Sequence, residues 1–551
     1  MTANKISALL SFLVPALMIA CAPTPDAAPV PGSETIRQED LRADLEFLAG
    51  DGMRGRGPES PENALAAEFI EARFQRLGLE PAATDGSYYQ PFELITTSLG
   101  ATNRLSTTID GRASVAPMGV DVTPMDFSAS SSASGDLLLA GFGLVSAALQ
   151  YDDYAEVDAT GKVVLVFDHE PGEFVAESPF DGLVRSEVSR ELRKALAAQE
   201  NGAVGILFVG DVHNHEPVDR LQNAHDQLWV SPTWTRYLLA SWTDRVTIPA
   251  ARITAALAER LVAGSGRSLG ELSRQAESGA GAASLEIPDA RINMTMTIER
   301  RRVPDRNVVA LMRGADPELA DEVVIVCAHY DHDGADGDRI YNGADDDGSG
   351  TVAVLEIAEA YALAAATGQR PRRSVLFAAW NSEEVGLMGA WAYTESPLFP
   401  LDRTAAALNM DMIGRNEEVP EDGGGRFRGL DPQTADENAN NVHIMAYTYS
   451  GALRNGVIEA NAAIGLDLEL AYDNNASNLL RRSDQWPFLQ RGVPALFFHT
   501  GLHPDYHRET DTPDRINYPK MERIVRLVHS LSWQLANADE RPTLDERRGT
   551  L

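Results

Sequence analysis

The chain is poor in cysteine. Only Cys21 and Cys327 occur in 551 residues, so no disulfide framework can staple it and stability must come from buried apolar surface. Cys327 lies inside the apolar run Val323–Ala328, where a buried, inert thiol is expected rather than a nucleophile. Basic residues are scarce beside acidic ones: 47 Lys+Arg against 81 Asp+Glu, a formal net charge of −34. A field of that sign repels nucleic acid and anionic membrane surfaces, which argues against both as partners. Past the first 20 residues no transmembrane span is visible, and no internal repeat. The glycine-rich stretch Gly50–Gly57 lacks the Lys-Ser/Thr of a phosphate-binding loop and has no strand before it, so nucleotide binding is not expected there.

What remains is an ordinary globular composition, 44% hydrophobic and 23% charged, in a chain long enough for two or more domains. Lys5 is the only charge before Cys21, and Ile6 to Ile19 is apolar, a secretory signal pattern over residues 1–20. Met18-Ile19-Ala20-Cys21 resembles a bacterial lipoprotein processing site, with Met18 where Leu is usual. That resemblance implies a lipid on Cys21, a flexible tether over 21–35 and a place in the cell envelope, with membrane contact only through the lipid. An ordinary signal peptide and a periplasmic or extracellular protein is the alternative.

From residue 36 the patterning is helical, at Ile36–Leu48 and again from the N-cap pair Ser60-Pro61 to Gly78. Residues 113–296 change character to short β-like runs between Ser/Gly/Ala-rich turns: Leu137–Ala140, Val163–Phe167, Ala203–Val209 and Thr247–Ile253. This span reads as an inserted, β-rich accessory domain. Its histidines His169, His213, His215 and His225 have no recognisable carboxylate partner in sequence, so exposed loop residues are expected. The flanking segments 36–112 and 297–540 read as one α/β domain, a mixed, mostly parallel sheet flanked by helices, with 541–551 a polar tail.

In that α/β domain apolar runs end repeatedly in metal-ligand chemistry. Val323–Ala328 ends at His329; Ser374–Ala379 leads to Glu383-Glu384; Ala405–Met410 ends at Asp411; Ala495–Phe498 leads to His503-Pro-Asp-Tyr-His507; and Asp345, Asp346 and Asp347 precede an apolar helix from Thr351. Functional crevices of open α/β sheets lie outside the carboxyl ends of the strands. Buried charge needs a partner there, and divalent cations supply one.

His329-Tyr-Asp331, Gly343-Ala-Asp-Asp346-Asp-Gly-Ser-Gly350, Asn381-Ser-Glu383-Glu384-Val-Gly-Leu, Asn409-Met-Asp411-Met-Ile-Gly and Asp505-Tyr-His507-Arg-Glu-Thr-Asp-Thr-Pro-Asp514 stand in the order found in the zinc exopeptidases with co-catalytic metals. The chain resembles that family over 36–100 and 305–540, and 113–296 resembles a protease-associated domain. The resemblance implies a zinc-peptidase fold, peptide substrates and two Zn2+ ions. Asp346 would bridge them, with His329 and Asp411 on one ion and Glu384 and His507 on the other. Glu383 would be the general base, held beside Glu384 in a turn, and Asp331 would orient the His329 imidazole. It favours His329 and His507 over His332 and His503 as ligands. Removal of N-terminal residues is the activity it points to, with carboxypeptidase or dipeptidase action, or an inactive binding module, as alternatives.

Overall fold

The computed structural model describes residues 30–232 and 234–545. The expected signal segment, the expected lipidation site at Cys21 and the last residues of the polar tail lie outside the described residues. A central sheet organises the molecule. Its main strands in chain order are β1 (Tyr89–Leu99), β2 (Ile298–Met312), β3 (Val323–His329), β4 (Ser374–Trp380), β5 (Thr404–Met410), β6 (Asn441–Met445), β7 (Asp467–Glu469) and β8 (Ala495–His499). They lie side by side as β1-β2-β4-β3-β5-β8-β6-β7.

The sheet is mixed. Parallel pairing runs through its centre, β4-β3-β5-β8, and joins β6 to β7, while β1–β2, β2–β4 and β8–β6 are antiparallel. Parallel neighbours need crossover connections, and the helices between β3, β4 and β5 provide them. The helices that matter here are α1 (Gln38–Leu48), α2 (Pro61–Arg76), α3 (Gly350–Ala366), α4 (Met388–Glu395), α5 (Gly451–Asn461), α6 (Gln485–Gln490) and α7 (Tyr518–Asn537).

Alternation along each central strand feeds two cores. In β3, Val324, Val326 and Ala328 pack with α1, α2, α3, α5 and α7, and Val323, Ile325 and Cys327 pack with α4 and α6 on the other face. Every residue of β3, β4 and β5 is buried, as expected of strands covered on both sides. Cys327 is a buried free thiol, and burial pushes it well above the ordinary thiol range. Ala344–Ala366 is apolar enough to cross a membrane, but 72% of its most apolar window is buried inside the fold, which marks it as a core helix.

A second sheet of eight strands has its own cores. It starts with the hairpin Arg104–Ile109/Arg112–Ala116, before the expected boundary at 113. Asp110 and Gly111 both take positive φ (48° and 75°), the turn that suits the twist of a two-residue hairpin, so the first strand cannot be assigned apart from the second. The reverse also occurs: Leu238–Leu239, inside 113–296, pairs with β1 at the edge of the central sheet. The two sheets are therefore stitched together.

Candidate metal centre

The carboxyl edge of β3, β4, β5 and β8 carries the expected residues, and the fold brings them together. His329, the last residue of β3, is fully buried, with its Nε2 3.4 Å from Asp346 Oδ1, 3.8 Å from Asp411 Oδ2 and 3.8 Å from Glu383 Oε2. On the other side of Asp346, its Oδ2 lies 3.2 Å from His507 Nε2, which is 3.4 Å from Glu384 Oε2. One carboxylate thus turns one oxygen to each of two ligand sets.

The tautomers fit ligation. His329 Nδ1 donates to the Asp331 carbonyl at 3.2 Å, and His507 Nδ1 donates to Asp333 Oδ2 at 2.8 Å, which turns both Nε2 atoms into the cluster. His329 Nε2 and Asp411 Oδ1 are buried without a hydrogen-bond partner. A four-coordinate zinc with bonds of about 2.0–2.2 Å separates its ligand atoms by about 3.3–3.6 Å. The distances here, 3.2–3.8 Å, lie close to that separation, and imidazole with carboxylate is the donor set that zinc takes, so the residues fit the metal.

Electrostatics point the same way. Burial and the neighbouring Glu384, Asp484 and Asp411 push Glu383 well above the carboxylate range, opposed by His329. Burial and the Asp346 charge raise Glu384 too. Burial disfavours the His329 cation, but Glu383 and the surrounding carboxylates overcome it and hold that imidazole well above its ordinary value. A pocket whose acids are driven to take up protons carries an excess of negative charge, which dications neutralise.

The local backbone explains the aim of each side chain. Glu383 and Glu384 sit in a turn, as expected, with Ser382 at φ 58° and Leu387 at φ 60° on either side. Glu383 N and Glu384 N donate to the two Asp331 carboxylate oxygens at 3.0 and 3.3 Å. This refines the part expected of Asp331. Its carboxylate lies 3.6 Å from His329 Nδ1 and spends its shortest bonds on the glutamate turn, while its carbonyl takes the imidazole proton.

Several residues escaped the sequence reading. His332, set aside as a competitor, lies within the second set, its Nδ1 2.5 Å from Glu384 Oε1. Asp333 fixes the His507 ring. Asp347 is a cross-strand fastener: its carboxylate accepts from His329 N, Gly350 N and Met412 N. Arg56, from the glycine-rich loop, is fully buried and donates to the carbonyls of Leu48, Tyr330, Asn342 and Gly343, so it clamps the loop that delivers Asp346. Gly55, at φ 70°, has room for no Cβ, because one would run into the carbonyls of Tyr341 and Gly334. His503 is buried beside the centre, 3.2 Å from Asp345 Oδ2, outside both ligand sets.

A cavity of about 490 Å³ opens on Asp346, Glu383, Glu384, Asp411 and His507, and its far wall includes Glu187, Arg190, Tyr237 and Trp242 from the 113–296 span. Trp486 Nε1 donates to Glu187 Oε1 at 3.0 Å, which ties that wall to α6.

Sheet order and shared-carboxylate geometry define the class: an α/β protein whose carboxyl-edge crevice is built for divalent metal. Residues 307–532 match the model of Peptidase family M28. It is 32% identical over 230 residues to a probable glutamate carboxypeptidase of Arabidopsis thaliana, a match covering 40% of this chain and 28% of the relative. Over 138 residues it is 36% identical to an aminopeptidase of Pseudomonas aeruginosa, covering 24% of this chain and 23% of that one. The matches therefore span less than a third of these curated relatives. Among solved structures, an aminopeptidase from Aneurinibacillus sp. strain AM-1 is 19% identical with a TM-score of 0.47, covering 92% of this chain and 96% of its own.

Proposed function

We propose that the chain is a two-zinc exopeptidase that removes N-terminal residues from peptides. The observation that carries this reading is Asp346, whose two oxygens face separate histidine-carboxylate sets at 3.4 and 3.2 Å beside Glu383. His329 and Asp411 would hold one ion and Glu384 and His507 the other, with Asp346 shared. Lewis acidity toward the scissile carbonyl and the attacking water is what a zinc pair supplies when bound.

The protein's own part falls to Glu383. Its carboxylate takes the proton of the attacking water and passes it to the departing nitrogen, and burial raises its basicity above the ordinary carboxylate range, the direction a general base needs. Asp331 holds the Glu383 amide and so aims the carboxylate. The cavity walls exclude bulk water and receive the substrate end.

The amino end is favoured by the acidic character of the site, which suits a free α-ammonium. Removal of C-terminal residues has one observation in its favour: Arg190, Arg236, Arg481 and Arg482 line the cavity and could bind a terminal carboxylate. Three of the four are already engaged with acids, Arg190 with Glu187 at 2.7 Å, Arg236 with Asp126 at 3.2 Å and Arg481 with Asp181 at 3.6 Å, which weakens that reading. The test compares chelator-sensitive cleavage of free-amino and N-blocked peptides by the purified chain. Cleavage of free-amino substrates is expected, and cleavage confined to N-blocked peptides at their carboxyl end would overturn the assignment.

A further inference from the structure

Two of the histidines expected to be isolated in loops meet around a single carboxylate in the second sheet. His169 Nδ1 is 2.6 Å from Glu173 Oε2, His215 Nε2 is 2.9 Å from both Glu173 oxygens, and the two rings stand 4.2 Å apart at 73°. We propose that His169, Glu173 and His215 form a metal site of their own, outside the M28 segment, for zinc or a similar transition metal. This inference does not rest on the peptidase reading.

The architecture argues for it. His169 follows the strand Val163–Phe167 and His215 the strand Gly205–Val209, and these two strands are parallel neighbours. The ligands therefore sit at adjacent carboxyl ends, the arrangement that builds the centre in the larger sheet. Both loops are fixed before any ion binds. Lys194 Nζ donates to the carbonyls of Phe167 and His169 at 2.8 and 2.5 Å. His215 N donates to the Asp211 carbonyl at 3.0 Å. The Glu277 carboxylate accepts from Gly172 N at 2.8 Å and Asn214 Nδ2 at 2.6 Å, and so joins one loop to the other. The three donor atoms lie on three different points of a pinned frame rather than on one flexible strand.

Two imidazoles and a carboxylate suit Zn2+ and its neighbours in the transition series and not the oxygen-seeking Ca2+ or Mg2+. Tetrahedral zinc needs its ligand atoms about 3.3 Å apart, so the cluster must open by a few tenths of an ångström, within reach of small side-chain rotations. His169 and His215 side chains are 33% and 35% exposed, which leaves room for water to complete the coordination. The site also stands at the root of the segment that carries Glu187 and Arg190 to the cavity wall; Glu170, beside His169, accepts from Ser186 N at 3.0 Å and closes that segment into a loop.

The experiment strips the full chain with chelator, dialyses it against Zn2+ alone and counts bound equivalents in the wild type, His169→Gln and His215→Gln. Each variant is expected to bind one equivalent fewer than wild type, with peptide cleavage within about twofold of it. Equal counts would overturn the proposal. Should a variant fold poorly, as judged by its melting curve, zinc-edge anomalous diffraction from the wild-type chain decides: a peak between His169 Nδ1 and His215 Nε2 supports the site, and its absence refutes it. Because metal is counted separately from cleavage, loss of the peptidase reading would leave this result standing.

Discussion

Both sheets gather histidine and carboxylate at the carboxyl ends of neighbouring parallel strands, but they do so at different depths. In the central sheet His329 is fully buried, and each carboxylate around it is at most a tenth exposed. In the second sheet His169, Glu173 and His215 are a fifth to a third exposed and hydrogen-bond one another directly. Depth changes what the same residue types can do. In the exposed trio the imidazoles already pair with the Glu173 carboxylate, so an ion there would replace those hydrogen bonds. The buried cluster leaves His329 Nε2 and Asp411 Oδ1 unpaired, and such groups cost about 1–3 kcal/mol each unless something occupies the space between them. Only the deeper cluster shares a carboxylate between two ligand sets and has a spare one, Glu383, free to move protons.

The sharpest way to break this contrast is Asp346→Asn. It removes the charge shared by both sets, and cleavage is expected to vanish together with bound zinc at both positions, read by metal analysis. Glu383→Gln comes next: turnover should fall by about 10²–10⁴, the usual worth of general acid–base catalysis, while zinc content stays at the wild-type value. Zinc loss in that variant would mean that Glu383 is a ligand and that the base lies elsewhere.

Arg56→Met should destabilise the chain by about 3 kcal/mol or more, since four carbonyls now bound to the guanidinium would be buried unpaired at about 1–3 kcal/mol each. Denaturant unfolding measures it. A smaller effect tests the role of carboxylates in setting imidazole charge. His529 in α7 is as buried as His329, yet burial alone pushes it down to about 3. Its folded pKa lies below the unfolded 6.5, so its contribution is complete above pH 6.5 and is lost as pH falls, by about 2 kcal/mol at pH 5. His529→Leu should lose about that much less stability than wild type between pH 7.5 and 5, measured by chemical denaturation at each pH.

The central strands were legible because continuous apolar runs of strand length have few alternatives, and a ligand residue at the end of each marked the crevice. β3, β4, β5 and β8 all lie where those runs fall. Glu383 and Glu384 were legible as a turn, since adjacent side chains must point apart. Arg56 was not, because a glycine-rich loop looks alike whether its arginine faces solvent or is swallowed by four carbonyls. The trio in the second sheet was hidden for a related reason: His169 and His215 belong to loops after different strands, and only the parallel pairing of those strands brings Glu173 between them. The expected boundary at 113 cut through a hairpin although its Asp110-Gly111 turn was itself a legible signal. That Asp331 meets the His329 ring through its carbonyl and the glutamate turn through its carboxylate is main-chain geometry, which side-chain spacing does not encode.

The shared carboxylate is tested most directly by zinc-edge anomalous diffraction on the zinc-loaded chain. The account predicts two peaks flanking the Asp346 carboxylate, about 3.5–4 Å apart, one beside His329 and Asp411 and the other beside Glu384 and His507. A single peak, or two peaks that do not both touch Asp346, would contradict it.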